Sequence, residues 1–215
     1  MTVLTLDSVT KSYRGRTIVD AVDAQFELGR SYAIVGPNGS GKSVLLRLMC
    51  RLIAPDRGTV TIDPRFLPGG RAAPVDFGII IDGPAYIAHR TGLDNLTYLA
   101  GIRRLIGPEQ AEEWMERVGL DPSSRERVRN YSQGMKQRLA IAQALMEDQK
   151  VLLLDEPFNA LDKKATASVR TLLRERVESG CCLVFTSHYR GDVDELADEV
   201  LALEDRRLVS ETPTA

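Results

Sequence analysis

Cysteine is scarce in this 215-residue sequence, and the placement of its three cysteines argues against two classes of protein. The count is odd: Cys181 and Cys182 are adjacent within an apolar run, and Cys50 stands alone. This usage predicts buried free thiols in a reducing compartment rather than a disulfide-bonded secreted fold. No group of cysteines and histidines has the spacing of zinc ligands, which argues against a zinc-dependent function.

Long apolar runs and an excess of charge are also missing. No apolar stretch approaches the ~20 residues that cross a bilayer, and the N-terminal MTVLTLDSVTKSY alternates like a strand rather than a signal peptide. We therefore expect a cytoplasmic protein, so in any membrane process another chain would have to span the bilayer. The net charge of -2 gives no reason to expect a nucleic-acid partner.

The order of the predicted elements indicates an α/β fold. β-rich runs predict strands in VLTLDSV, TIVDAVDAQFEL, SYAIVG, residues 58–62, residues 75–81, VLLLDEP and CCLVFTS. Helical signals cover residues 42–53, 91 through at least 99, 108–119, 132–146, 162–178 and 192–196, and a hairpin surrounds residues 204–207. Alternating strands and helices predict a mostly parallel sheet flanked by helices, preceded here by an antiparallel β region.

The middle of the chain differs from its two ends because its signals are almost entirely helical. A chain of this length can form one sizeable domain. We expect a single domain over residues 1–215. Residues 1–82 and 149–215 would form its catalytic core, and residues 83–148 an inserted helical subdomain.

The run GPNGSGKS follows a predicted strand, opens a predicted helix and matches the phosphate-binding loop G-x-x-x-x-G-K-[ST]. Its glycines let backbone N–H groups turn inward around an anion, and the helix N-terminus adds partial positive charge. The candidate nucleotide-binding residues are Gly36, Pro37, Asn38, Gly39, Ser40, Gly41, Lys42 and Ser43. Lys42 would reach the β- and γ-phosphates, and the Ser43 hydroxyl would bind Mg²⁺, so a P-loop NTPase core is predicted.

The apolar run VLLLDEP predicts a buried strand that ends in two carboxylates. Asp155 is a candidate Mg²⁺ ligand, and Glu156 would lie where an attacking water must be oriented or deprotonated. Alone, the run fits a core strand followed by an acidic turn. A phosphate loop paired with a Mg²⁺ carboxylate also fits kinases, GTPases and motor ATPases.

The stretch YSQGMKQR narrows this choice. Ser132 fits an N-cap, whereas Gly134 costs roughly 1 kcal/mol against alanine within a helix. The stretch resembles the signature helix of ABC-type ATPases. In that family an aromatic side chain stacks on adenine, and Tyr13 resembles that residue. The run NALD, residues 159–162, resembles the family's D-loop. His188, after the next strand, resembles the switch histidine that contacts the γ-phosphate.

The resemblance implies an ATP- and Mg²⁺-dependent motor subunit of a membrane transporter. Two such domains, as a homodimer or heterodimer, would pair head to tail, so that Ser132 and Gly134 of one bind the γ-phosphate held by the other. It also implies that a polytopic membrane subunit docks near residues 84–104. In this interpretation Gly134 permits close approach to phosphate because it has no Cβ.

Several positions depart from the common family pattern. Gln133 and Met135 replace a glycine and a glutamine of the signature, and Ser43 replaces the more frequent threonine. Asp82 occupies a position where many members have a glutamine that reaches Mg²⁺, so Asp82 is a candidate metal residue. An acidic residue there, followed by GPAY, resembles the bacitracin- and lantibiotic-resistance exporters.

Two other functions use the same ATP-binding residues. The first is a soluble ABC-type ATPase that acts on ribosomes, DNA or Fe–S assembly. The sequence has one ATPase domain, no long heptad run and no zinc spacing, and the Fe–S type remains compatible with its length. The second is a regulator that binds ATP with little turnover, against which Glu156 and His188 both count.

Overall fold

A six-stranded sheet lies at the centre of the computed structural model, which describes residues 1–211. Its strand order is β5 (Phe77–Ile80), β6 (Val151–Leu154), β7 (Cys182–Thr186), β3 (Ser31–Val35), β8 (Glu199–Glu204) and β9 (Arg207–Glu211). All neighbours are parallel except β8 and β9, which form the predicted hairpin. Every residue of β6 is buried, as expected for a parallel strand with both faces covered.

A second sheet of three antiparallel strands contains the N-terminal region. Its order is β2 (Arg16–Glu27), β1 (Thr2–Tyr13) and β4 (Arg57–Ile62). The alternating apolar residues of β1 face a core shared with α1 (Lys42–Met49). The predicted α/β class, with a mostly parallel sheet and an antiparallel N-terminal region, is confirmed.

Helices occupy the middle of the chain, where α2 (Gly92–Arg103), α3 (Pro108–Arg117) and α4 (Gln133–Leu145) pack together. Thr91 caps α2, because its hydroxyl accepts from the backbone N–H of Asp94 while the Asp94 carboxylate accepts from the Thr91 N–H. The remaining helices are α5 (Lys163–Glu178) and α6 (Arg190–Leu196). Within residues 1–211, no helix has the length and apolar character needed to cross a membrane.

Several predicted boundaries were wrong, including that of α3, which ends at Arg117 rather than residue 119. The first helix ends at Met49 rather than residue 53, because Arg51 adopts a left-handed φ of 58° that a helix does not allow. Strand β5 covers only Phe77–Ile80, since Asp76 and Asp82 on either side also have positive φ. Helix α6 starts at residue 190 instead of 192.

The carboxyl ends of β3, β6 and β7 meet at one edge of the large sheet, because these strands are parallel neighbours. The phosphate loop follows β3, the two carboxylates follow β6, and His188 follows β7. Ligands of open α/β sheets bind at this edge. The fold therefore assembles three separate sequence motifs into one site.

Candidate functional site

The phosphate loop turns from β3 into α1 with backbone that only glycine accommodates well. Gly36 and Gly41 have φ values of 146° and 112°. A Cβ on Gly36 would lie 2.8 Å from the Leu203 carbonyl oxygen, and one on Gly41 would lie 2.8 Å from a methyl group of Ile18. Both glycines are therefore required by positive φ and by close packing.

The Lys42 side chain folds back over the phosphate loop. Its ammonium donates to the carbonyl oxygens of Gly36 at 2.8 Å and Pro37 at 3.2 Å, and the residue is only 7% exposed. The Ser40 hydroxyl oxygen is buried and has no hydrogen-bond partner among residues 1–211. Buried polar atoms are normally satisfied, so this orphan fits a loop built to meet a ligand.

Asp155 and Ser43 lie in direct contact at the end of β6. The Ser43 hydroxyl donates to one carboxylate oxygen of Asp155 at 2.5 Å, and the Thr186 hydroxyl donates to the other at 2.7 Å. Thr186 also accepts from the Glu156 backbone N–H at 2.9 Å. This buried threonine fixes both acidic residues, and we did not predict it. A polar residue ending the apolar run CCLVFT was its only sequence signal.

Glu156 has a left-handed φ of 50°, which turns its side chain away from the strand direction. Its Oε1 lies 2.7 Å from Nε2 of His188, without the alignment of a hydrogen bond. Burial raises the pKa of Glu156, while His188 and Lys42 oppose that rise. A carboxylate with a raised pKa is a better proton acceptor than an exposed glutamate.

These side chains surround a cavity of about 430 Å³. Its lining contains the predicted residues Tyr13, Asn38, Gly39, Gly41, Lys42, Ser43, Asp155, Glu156 and His188. Pro37, Gly39 and Ser40 line an adjacent pocket of about 770 Å³. Tyr13 is 43% exposed at the rim, where a flat ligand could stack on its ring. The fold thus brings together most of the residues that the sequence predicted.

Asp82, the third predicted metal residue, pairs with an arginine and does not belong to the described lining of this cavity. Its carboxylate is held by Arg47 of α1, which donates Nε to Oδ2 at 3.0 Å and Nη2 to Oδ1. The cavity lining among residues 1–211 does not include Asp82. Its assignment as a metal residue stays a prediction, and the Arg47 contact is a competitor that the sequence did not indicate.

Ser132 and Gly134 also lie outside the cavity lining, as far as the described residues go. The Ser132 hydroxyl caps α4 by accepting from the Met135 N–H at 3.2 Å. A Cβ on Gly134 would lie 2.7 Å from the Ala160 carbonyl oxygen. Gly134 therefore has a packing role within its own chain, next to the segment that follows Glu156.

Gln137, one turn into α4, strengthens that connection. Its side-chain amide donates to the carbonyl oxygens of Pro157 at 3.0 Å and Glu156 at 3.4 Å. The residue is 5% exposed, so these bonds are shielded from water. Sequence reasoning missed Gln137, although a polar residue in the apolar face of α4 was a usable signal.

The sequence profile described as ABC transporter matches residues 19–159. The chain belongs to the ABC transporter family. It is 36% identical over 201 residues to the ABC transporter ATP-binding protein YybJ of Bacillus subtilis (strain 168), covering 94% of this chain and 92% of YybJ. It is 32% identical over 211 residues to the bacitracin transport ATP-binding protein BcrA of Enterococcus faecalis, covering 97% of this chain and 68% of BcrA.

A solved structure gives the same result for the fold. The dimeric post-hydrolysis state of the ATP-binding cassette MJ0796, bound to ADP and Pi, superposes with a TM-score of 0.84 and 25% identity over 99% of both chains. The predicted ABC-type ATPase is thereby confirmed as an ATP-binding, ATP-hydrolysing subunit of this family.

The raised pKa of Glu156 has a consequence for stability. A carboxyl group whose pKa is higher in the folded state gives its full stability below its unfolded pKa, and that stability is lost as pH rises through the folded pKa. Glu156→Gln should therefore unfold at higher urea concentration than the parent at pH 7, with the difference vanishing below about pH 4.

Urea titrations at several pH values would measure this difference, with Glu175→Gln on the exposed face of α5 as the control. A Glu156→Gln protein that is less stable than its parent at pH 7 would contradict the burial argument.

Proposed function

We propose that this chain is the ATP-driven motor subunit of a membrane exporter and works as a head-to-tail dimer. The observation that supports this most is the separation of the site. The cavity of about 430 Å³ gathers the phosphate loop, both carboxylates and His188, whereas Ser132 and Gly134 lie outside its described lining. A second chain that supplied its signature helix would complete the site.

In the proposed mechanism, catalysis is positioning and charge stabilisation. The loop N–H groups and the Lys42 ammonium hold the β- and γ-phosphates, and His188 contacts the γ-phosphate. Glu156 orients the attacking water and accepts its proton, which its raised pKa favours. Ser132 and the backbone N–H groups near Gly134, from the second chain, bind the γ-phosphate from the opposite side.

The donor set at Ser43 and Asp155 fits Mg²⁺. A hydroxyl and a carboxylate are hard oxygen ligands, and Mg²⁺ uses few protein ligands beside substrate phosphates and water. Bound Mg²⁺ would neutralise charge that builds on the phosphates. Asp82 would join this set only after leaving Arg47.

Export rather than import rests on a similarity and a resemblance. The chain is similar to BcrA, whose name describes bacitracin transport. Asp82 and the GPAY that follows it resemble the resistance exporters. We also propose the predicted division into a core of residues 1–82 and 149–215 and a helical subdomain of residues 83–148. The protein would be cytoplasmic and bound to the inner face of the membrane by its partner.

The proposed docking surface for the membrane subunit is a groove of about 460 Å³ between β5 and α2. Its lining includes Ala85, Tyr86, Ile87, Tyr98 and Leu99. Tyr98 is 49% exposed under the guanidinium of Arg90, and the same helix face continues to Ile102, which is 67% exposed. Exposed apolar patches of this kind mark interaction sites.

Co-purification tests the transporter function and its docking surface together. The tagged chain, taken from detergent-solubilised membranes of its own organism, should retain a stoichiometric polytopic protein. Tyr98→Asp and Ile102→Asp should each reduce that recovery about tenfold, since a buried charge in an interface is costly. Leu52→Asp, at a site 61% exposed after α1, is the matched control.

Equal recovery with all three variants would contradict the docking surface. Recovery with ribosomes, DNA or an Fe–S assembly complex instead of a membrane protein would contradict the transporter function while leaving the ATP chemistry in place.

A further inference from the structure

Arg170 and Asp192 form a largely buried ion pair, and neither residue belongs to the described lining of the nucleotide cavity. Arg170 of α5 donates Nη2 to Oδ1 of Asp192 at 2.7 Å, and its Nη1 contacts Glu195. Asp192 is 4% exposed, and the Arg170 side chain is 17% exposed. A buried carboxylate needs such a partner, so Asp192 and Arg170 fix each other in position.

Ser187 connects this pair to the segment that carries His188. Its hydroxyl has two acceptors within reach, Oδ2 of Asp192 at 3.3 Å and the Tyr189 carbonyl oxygen at 3.4 Å, and it accepts from the Tyr189 backbone N–H at 3.1 Å. The Asp192 N–H donates in turn to the Tyr189 carbonyl oxygen at 3.1 Å. Ser187 is 5% exposed, so water does not compete for these bonds.

The backbone around His188 is therefore held on both sides, while its side chain is free to face ligand. That side chain is 49% exposed, and its Nε2 lies 2.7 Å from Oε1 of Glu156. Tyr189, the N-cap of α6, makes no side-chain capping bond within residues 1–211, so the start of the helix depends on Ser187 and Asp192. We propose that Arg170, Asp192 and Ser187 are positioning residues that set the place of His188 in the site.

The network also ties His188 to α5. This helix begins directly after the segment that follows Glu156, and Asp162 caps it by accepting from the Ala165 N–H at 2.8 Å. Arg170 lies two turns along the same helix. A shift of α5 would therefore move Asp192 and, through Ser187, His188. The proposal rests on the role proposed above for His188.

Ser187→Ala is the sharpest variant, because it removes one hydroxyl and leaves the ion pair intact. We expect kcat for ATP hydrolysis to fall about tenfold with KM changed less than twofold, since small misplacement of a catalytic group lowers the rate of chemistry. Arg170→Met and Asp192→Ala should lower kcat in the same way. Ser187→Thr keeps a hydroxyl and should therefore retain most of the parental rate.

Arg174→Met is the matched control. Arg174 lies one turn further along α5 and also joins it to the end of α6, through the Glu195 carbonyl oxygen at 2.9 Å and Asp198 at 3.2 Å. Asp198 is held by Ser31 instead of the His188 segment. Arg174→Met should therefore cost stability with little change in kcat.

Imidazole NMR signals separate position from activity, because the chain has two histidines, His89 and His188. The His188 signal is the one that disappears in His188→Gln. Ser187→Ala should change the chemical shift of that signal and leave the chemical shift of His89 unchanged. An unmoved His188 signal, or a kcat equal to that of Arg174→Met, would overturn the proposal. If His188→Gln itself kept full activity, the proposed catalytic role of His188 would be wrong. A changed His188 chemical shift in Ser187→Ala would still support the positioning network in that case.

Discussion

Glu156→Gln should bind ATP as tightly as the parent and hydrolyse it two to three orders of magnitude more slowly, as expected on loss of a general base. The amide has the size and shape of the carboxyl group, so the contacts of the backbone with Thr186 and of the Gln137 side chain are kept. What is lost is the ability to accept a proton from water next to the γ-phosphate. Steady-state phosphate release and equilibrium binding of a fluorescent ATP analogue would measure the two effects separately.

Glu175→Gln, at an exposed position on α5, should change neither quantity. If Glu156→Gln hydrolysed ATP at the parental rate, Glu156 would not be the base, and Asp155 or water alone would have to serve. If it lost ATP binding as well, Glu156 would hold nucleotide instead of acting on water.

The parts of the fold that the sequence predicted are those with strong local patterns. Four consecutive apolar residues before Asp155 can only be buried if both faces of their strand are covered, which implies a central parallel strand. The phosphate loop was predictable for a similar reason, because GPNGSGKS needs glycine at left-handed positions, and Gly36, Gly39 and Gly41 have positive φ.

The parts that could not be predicted depend on contacts between distant segments. Thr186 and Gln137 are polar residues within apolar runs, but only the packing of β7 and α4 shows that both contact the backbone at Glu156. The ion pair of Arg47 with Asp82 joins residues 35 apart in the chain. A local pattern can mark such a residue as polar within an apolar run, but it does not identify the distant group that the residue contacts.

Gly134 shows how a local explanation can be incomplete. The sequence interpretation explained it by close approach of a phosphate from the opposing domain. The fold adds a reason within the chain, since a Cβ there would meet the Ala160 carbonyl oxygen at 2.7 Å. A Gly134 variant would therefore disturb its own chain as well as any partner. Ser132, exposed at the start of α4, is the better residue with which to test the dimer.

Ser132→Arg and Lys42→Ala should each lower ATP hydrolysis by about two orders of magnitude as homodimers. Lys42→Ala removes an ammonium that stabilises phosphate charge, whereas Ser132→Arg replaces a phosphate-binding hydroxyl with a side chain too large for close approach of the two chains. Mixed dimers of the two variants should regain activity. In such a dimer the phosphate loop of the Ser132→Arg chain faces the intact signature of the Lys42→Ala chain. One of the two sites is then complete, so about half of the parental rate is expected from a two-fold symmetric pair.

The decisive comparison is a mixed dimer of a parental chain with a chain carrying both substitutions. This dimer contains the same two substitutions as the first mixed dimer. If Ser132 acts across the interface, however, one of its ATP sites lacks Lys42 and the other lacks Ser132, so neither site is complete. Two affinity tags on co-expressed chains allow tandem purification of either mixed dimer, and ATP hydrolysis is then measured on both. Activity confined to the dimer of the two single variants supports a shared site. Activity confined to the dimer with the parental chain would show that Ser132 acts on the nucleotide of its own chain, because only then would the parental chain keep a complete site.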